Sequence, residues 1–128
     1  MKDIIIRIAK EADILELQKI GKQTYFETYF TDDSNYDMEQ YLNEKFSIGQ
    51  LRKELNNTES MFYFSEIENE IIGYLKVNTG DAQTENRNIE TLEIERIYVF
   101  SCYQGKNVGQ LLYNKAIEIA KKQIIKIA

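Results

Sequence analysis

Residues 91–117 read TLEIERIYVFSCYQGKNVGQLLYNKAI, and this stretch decides the fold. Its apolar first part, residues 91–100, is typical of a strand, and from Val108 onwards apolar residues recur at helical spacing. The loop between them, residues 104–109, reads QGKNVG. Free N–H groups and the helix dipole at a helix start attract phosphate oxygens, and glycine permits close approach. The stretch therefore predicts a pyrophosphate site, with an ordinary strand–loop–helix turn as the alternative.

The alternation of apolar residues changes phase inside this strand. Apolar residues occupy even positions up to Ile94 and odd positions from Ile97 onwards. Because the side chains of a strand alternate between its two faces, the change predicts a β-bulge at Glu95 and Arg96. The alternative is a strand that is buried on both faces and carries one exposed ion pair.

The rest of the chain predicts one domain over residues 1–128, with helices packed on a sheet. Hydrophobic residues make up 43% and charged residues 29% of the chain, which is ordinary for a globular protein. Alternation and helical spacing predict further strands at residues 4–8, 61–67 and 71–78, and helices at 11–30, from 34 through 42, at 47–56 and at 108–122. Residues 123–128 fit either a frayed helix end or the start of another strand.

Composition excludes several classes of function. The chain has no histidine, so Ser-His-Asp and Cys-His catalysis and histidine-based metal sites are excluded within it, and we expect no metal. Its single cysteine, Cys102, cannot form an internal disulfide, which suits a reducing cytoplasm. The excess of 21 acidic over 16 basic residues disfavours a nucleic-acid partner. No apolar run approaches the ~20 residues that span a bilayer, and no signal peptide is expected.

The strand and loop together resemble motif A of the GNAT N-acetyltransferases. The residues that carry the resemblance are Leu92–Val99, the pattern Gln104-x-x-Asn107-x-Gly109, and Leu111-Leu112. Within that family the chain is most similar to the bacterial polyamine (spermidine/spermine) N-acetyltransferases of the PaiA kind. This closer similarity extends over Phe62–Phe64, Ile72–Asn78, Asp81–Gln83, Leu92–Tyr98 and Asn114–Ala120.

The resemblance implies an α/β (α+β) fold: a mixed, mainly antiparallel sheet flanked by helices. Two departures stand out. The chain stops where the family continues, so we expect it to be C-terminally shortened and to lack the family's last strands. In addition, Asn107 replaces the first loop glycine of the family. If that glycine is needed for positive φ, asparagine is well tolerated; if it is needed for its lack of a side chain, asparagine crowds the phosphate. We expect coenzyme binding that is weakened but not abolished.

The resemblance also implies acetyl-CoA as cosubstrate. The family's strand splays away from its neighbour at the bulge, and the pantetheine arm lies in the gap. By position, the backbone of Ile97 and Val99 would bind the acetyl and pantetheine groups, and N–H groups from Gln104 to Gln110 would hold the pyrophosphate. The residues implied at the coenzyme are Ile97, Tyr98, Val99, Gln104, Gly105, Lys106, Asn107, Val108, Gly109 and Gln110.

Glu95 is the candidate catalytic base. An alkylammonium with a pKa near ~10.4 must lose a proton before its nitrogen attacks, at a cost of about 4 kcal/mol near neutral pH. In the resembled enzymes a glutamate at this strand position assists that step. The alternative is a surface carboxylate paired with Arg96 or with a neighbouring strand. We assign no general acid, because Tyr98 and Tyr103 do not match the family's position.

For the acceptor amine, the resemblance points to the first helix and the loop after it. Glu27, Asp32 and Asp33 are the candidate substrate-binding residues there, with a solvated acidic loop as the alternative. The resulting prediction is a cytoplasmic N-acetyltransferase that transfers acetyl to a primary amine, with polyamines as the implied acceptor class. The alternative is a truncated, catalytically inactive domain that binds CoA weakly or not at all and is either an assembly module or a truncation product. An uncovered sheet edge further predicts a homodimer.

Overall fold

The computed structural model describes residues 3–30, 37–85 and 88–128, and a five-stranded sheet runs through them. The strands are β1 (Ile4–Ile8), β2 (Ser60–Ile67), β3 (Glu70–Thr79), β4 (Thr91–Val99) and β5 (Lys126–Ile127). They lie in the order β1-β2-β3-β4-β5. The first four pair antiparallel in sequence, and β5 pairs parallel with β4. The predicted mixed, mainly antiparallel sheet is therefore confirmed.

Four α-helices flank the sheet: α1 (Ile14–Tyr29), α2 (Asp37–Lys45), α3 (Ile48–Leu55) and α4 (Val108–Gln123). Ser47 caps α3, since its hydroxyl accepts a hydrogen bond from the Gln50 N–H at 3.1 Å. The predicted cap at Ser34 lies outside the described residues. Of the two alternatives for residues 123–128, the start of a strand is the one observed, because β5 follows α4 directly.

The sheet separates two apolar clusters. On one face α1, α2 and α3 cover β2 and β3, with Phe46, Phe62 and Phe64 fully buried among them. On the other face α4 packs against β3 and β4 through Leu112 and Ala116. Helices cover both faces of the sheet, so a ligand can reach the middle strands only at their ends or along an unpaired strand edge. None of the described helices has the length and apolarity needed to cross a bilayer.

Strand β4 carries the predicted bulge. In its ladder with β3, Arg96 pairs with Lys76 and Ile94 pairs with Val77, so Glu95 is an extra residue without a counterpart. The change of alternation at Glu95 is thereby explained and the prediction is confirmed. On its other side, β4 pairs with β5 only at residues 91–92. Beyond that point no described strand pairs with this edge.

Candidate active site

The open edge of β4 presents backbone groups. The N–H of Phe100 donates to the carbonyl of Ile72 at 3.0 Å, so Phe100 faces β3. Because successive residues of an antiparallel strand point their backbone groups to opposite sides, Val99 and Ile97 face the open edge. In agreement, the Gln104 side-chain amide donates to the Val99 carbonyl at 3.3 Å. The two residues predicted to bind the acetyl and pantetheine groups thus have backbone groups that form no hydrogen bonds with β3.

The start of α4 lies next to this edge. Asn107 adopts φ 71° and ψ 10°, in the left-handed region, so the position does need a positive φ. The Asn107 side chain makes no capping hydrogen bond to the helix, while Val108 anchors the first turn in the core. Helix geometry leaves the first N–H groups of α4 without intrahelical partners, and no side-chain cap from Asn107 takes them. They can therefore bind an anion.

One cavity of about 640 Å³ joins these two features. Every predicted coenzyme residue except Lys106 lines this cavity, and so does Thr28 of α1. Its lining is Thr28, Ile97, Tyr98, Val99, Gln104, Gly105, Asn107, Val108, Gly109 and Gln110. The Lys106 ammonium instead lies 5.6 Å from the centre of the Tyr103 ring.

Glu95 belongs to a different cavity, of about 530 Å³, on the side of α2 and α3. Its carboxylate is 2.8 Å from Lys76 Nζ, accepts a hydrogen bond from Asn78 Nδ2 at 2.8 Å, and lies 3.3 Å from Arg96 Nη2. The bulge therefore brings the candidate base against β3. The pairing that the alternative expected, with Arg96 or a neighbouring strand, is observed with both, but the carboxylate is mostly buried and does not lie on the surface.

A second carboxylate shares the same cations. Glu54 of α3 lies 2.8 Å from Lys76 Nζ and 3.4 Å from Arg96 Nη2. Lys76 and Arg96 are almost completely buried, and Arg96 also stacks near the Phe46 ring. Two carboxylates and two cations thus neutralise one another at this site. Such a group is stable only when every charge keeps its partners.

These contacts set the charge state of Glu95. Burial alone raises the pKa of Glu95, but the hydrogen bonds and charges of Lys76, Asn78 and Arg96 outweigh burial and hold this pKa below its usual value. The carboxylate is therefore ionised at neutral pH. A low pKa makes it a weak base, yet it is well suited to attract a cation.

Of the three predicted acceptor residues, Glu27 belongs to the described part of the chain. Glu27 does not line the cavity of Glu95; its carboxylate accepts hydrogen bonds from Ser101 N at 3.0 Å and Ser101 Oγ at 3.3 Å. Glu27 thus ties α1 to the end of β4, and it also lines a separate cavity of about 420 Å³, so its substrate-binding role stays a prediction. Asp32 and Asp33 lie outside the described residues.

Sequence reasoning missed Lys76, Asn78 and Glu54. One signal was available, because a lysine within the apolar run of β3 needs a buried partner. The identity of that partner was not available, since Glu54 lies on an amphipathic helix with no local link to β3. Helical spacing tells which face of α3 is polar but not which strand it meets.

Comparison with known proteins agrees with this geometry. The model of the acetyltransferase (GNAT) family matches residues 15–127. An uncharacterized N-acetyltransferase in the pepI 3' region of Lactobacillus delbrueckii subsp. lactis is 34% identical over 118 residues, covering 92% of this chain and 68% of the relative. An uncharacterized N-acetyltransferase of Methanocaldococcus jannaschii is 24% identical over 93% of this chain, which spans only 52% of that relative.

Solved structures show the same fold. The PaiA N-acetyltransferase of Thermoplasma acidophilum in complex with coenzyme A superposes with a TM-score of 0.81 at 24% identity, covering 96% of this chain and 75% of that one. An aminoglycoside acetyltransferase from an uncultured soil metagenomic sample gives a TM-score of 0.73 at 15% identity, covering 98% and 78%. The chain therefore belongs to the GNAT acetyltransferase family, whose enzymes use acetyl-CoA.

Proposed function

We propose that this chain transfers acetyl from acetyl-CoA to a primary amine within one ternary complex. The observation that carries the proposal is the arrangement along β4. The backbone edge at residues 97–99 leads to the uncapped start of α4, and the ionised Glu95 stands at the bulge just before that edge. A thioester beside the edge would lie within reach of an amine that Glu95 attracts.

The residues at the edge suit the coenzyme. The backbone of Ile97 and Val99 would hold the pantetheine and acetyl groups, and the first N–H groups of α4 would bind the pyrophosphate. Both are fixed by the fold before a ligand arrives, because β3 holds one side of β4 and Val108 anchors α4 in the core. Pre-organised donors lose little entropy on binding.

In the reaction, the amine nitrogen attacks the thioester carbonyl carbon, forming a C–N bond. The C–S bond breaks, and its electron pair leaves with the coenzyme sulfur, which takes up the second proton that the nitrogen loses as it becomes an amide. The ammonium proton must first be lost, which costs about 4 kcal/mol near neutral pH if unassisted. Because its own pKa is low, Glu95 does not keep the proton; it contributes by holding the ammonium and the water that carries the proton away.

Polyamines are the acceptor class that we propose. The cavity of Glu95 is lined by the carboxylates of Glu44, Glu54 and Glu95, whose charges are balanced by Lys45, Lys76 and Arg96, so the choice of polyamines rests on similarity. The similarity to PaiA enzymes points to polyamines, and the aminoglycosides of other structural neighbours are also amines. A cytoplasmic location is part of the proposal, because the exposed free thiol of Cys102 suits a reducing compartment.

A thiol-release assay with acetyl-CoA and spermidine tests the function. We expect Glu95→Gln to lower kcat by about 10²–10⁴-fold while leaving CoA affinity unchanged. Glu90→Gln is the matched control, since Glu90 is an exposed glutamate just before the same strand. Undiminished turnover in Glu95→Gln would remove Glu95 from the mechanism.

A second function, assembly without turnover, has one observation in its favour. The edge of β4 beyond residue 92 pairs with no described strand, and such an edge readily accepts a strand from another chain. Saturable CoA binding without turnover of any amine would support this second function. A homodimer through that edge is part of the proposal, and a light-scattering mass of one 15.1 kDa chain would contradict it.

A further inference from the structure

An ammonium group already sits in an aromatic site at the edge of the Glu95 cavity. The Lys45 Nζ lies 4.9 Å from the centre of the Tyr25 ring and 5.4 Å from that of the Tyr41 ring. It also donates a hydrogen bond to the Tyr41 hydroxyl at 3.1 Å. The face of the Tyr25 ring and the phenol oxygen of Tyr41 thus contact a single cation, as in sites that recognise alkylammonium ligands.

The two rings are held in place by the core. Tyr25 and Tyr41 lie 5.4 Å apart, and the edge of the buried Phe46 ring packs 6.2 Å from Tyr25. Burial raises the pKa of Tyr25 to about 12, so its hydroxyl is neutral at working pH. The aromatic site is therefore built by α1, α2 and Phe46 and does not depend on Lys45 itself.

Lys45 is held weakly. In the part of the chain that the structure describes, no carboxylate lies within 4.0 Å of its ammonium, in contrast to Lys76. It sits in the last turn of α2 on a flexible four-carbon stem, and it lines the cavity that contains Glu95. A cation held by rings at a partly exposed site gains only about 0.5–1 kcal/mol per ring, so an equivalent cation can replace it.

We propose that Tyr25 and Tyr41 bind the distal ammonium of the acceptor, and that the Lys45 ammonium fills this site until the acceptor arrives. The proposal rests on the proposed amine acetylation and names its substrate class: acceptors with a second alkylammonium. Glu95 holds the reacting end of the acceptor and the two tyrosines hold the other end. Lys45 competes with that second ammonium and sets the affinity for it.

The test is calorimetric binding of spermidine and of butylamine to the full chain without acetyl-CoA. We expect Lys45→Met, which keeps an apolar stem, to tighten spermidine binding by about threefold to tenfold and to leave butylamine binding unchanged. Adding Tyr41→Leu to Lys45→Met should abolish the gain. Lys53→Met removes the same charge from an exposed position of α3 and should give no gain.

Unchanged, weaker or unmeasurable spermidine binding in Lys45→Met would overturn the proposal, as would an equal gain in Lys53→Met. Thermal melts of each variant separate loss of the site from loss of the fold. Because binding is measured without acetyl-CoA and turnover is measured separately in the thiol-release assay, the two proposals fail separately. A gain in binding without turnover refutes only the proposed function, whereas turnover without the gain refutes only the aromatic site.

Discussion

The two ends of the candidate site on β4 differ in the groups they present: one end presents backbone groups and the other presents side chains. At the proposed coenzyme end, backbone groups of residues 97–99 and of the first turn of α4 would provide the contacts, and side chains mainly anchor the backbone. At the acceptor end, side chains from α3, β3 and β4 form one neutral cluster of four charges. The coenzyme end therefore depends on backbone conformation, and the acceptor end depends on every member of the cluster being present.

The largest effect is expected from breaking the charge cluster. Lys76→Met leaves Glu54 and Glu95 facing each other with only Arg96 between them, and uncompensated buried charge is costly. We expect the free energy of unfolding in urea at neutral pH to fall by about 3–5 kcal/mol. Lys53→Met, the exposed control on α3, should change it by less than about 0.5 kcal/mol. Equal, small losses would mean that the cluster does not act as a unit.

A smaller effect is expected from acid. The pKa of Glu95 is depressed in the folded state, so its stabilising contribution is fully present above the unfolded value of 4.5 and is lost as pH falls through the lower folded value. Below pH 4.5 the wild type should therefore lose stability more steeply than Glu95→Gln. Urea midpoints measured from pH 6 to pH 3 check this. Parallel curves would show that Glu95 has the same pKa in both states.

The smallest effects are expected at the coenzyme end. A Cβ added at Gly109 meets nothing within 4 Å, so Gly109→Ala should leave the melting temperature unchanged while lowering CoA affinity about tenfold by crowding the phosphate. Asn107→Gly should tighten CoA binding severalfold, because glycine adopts the observed positive φ without penalty and carries no side chain. Calorimetric titration with CoA measures both. Equal affinities for all three proteins would place the pyrophosphate elsewhere.

The same contrast decides what was predictable from the sequence. The bulge, the open loop and the start of α4 are contiguous in residues 91–110, so alternation and loop composition indicated them directly. The contacts of Glu95 required knowing that α3 brings Glu54 over β3, which no local pattern encodes. Glu27 shows a related limit of sequence-based prediction. Its position on α1 was predicted, but its hydrogen-bond partner Ser101 was not, because that contact depends on how α1 packs against the end of β4.

One residue, Glu95, provides both the bulge of β4 and the candidate catalytic carboxylate. Glu95 is supernumerary in the ladder, so a deletion there would let Ile94 and Arg96 keep their partners Val77 and Lys76 in continuous pairing, and it would remove the kink and the carboxylate together. A point substitution removes the carboxylate but keeps the kink. A descendant that lost activity by substitution of Glu95 would thus keep the bulge and the proposed coenzyme site. A descendant that lost Glu95 by deletion would lose the bulge and the carboxylate in a single event.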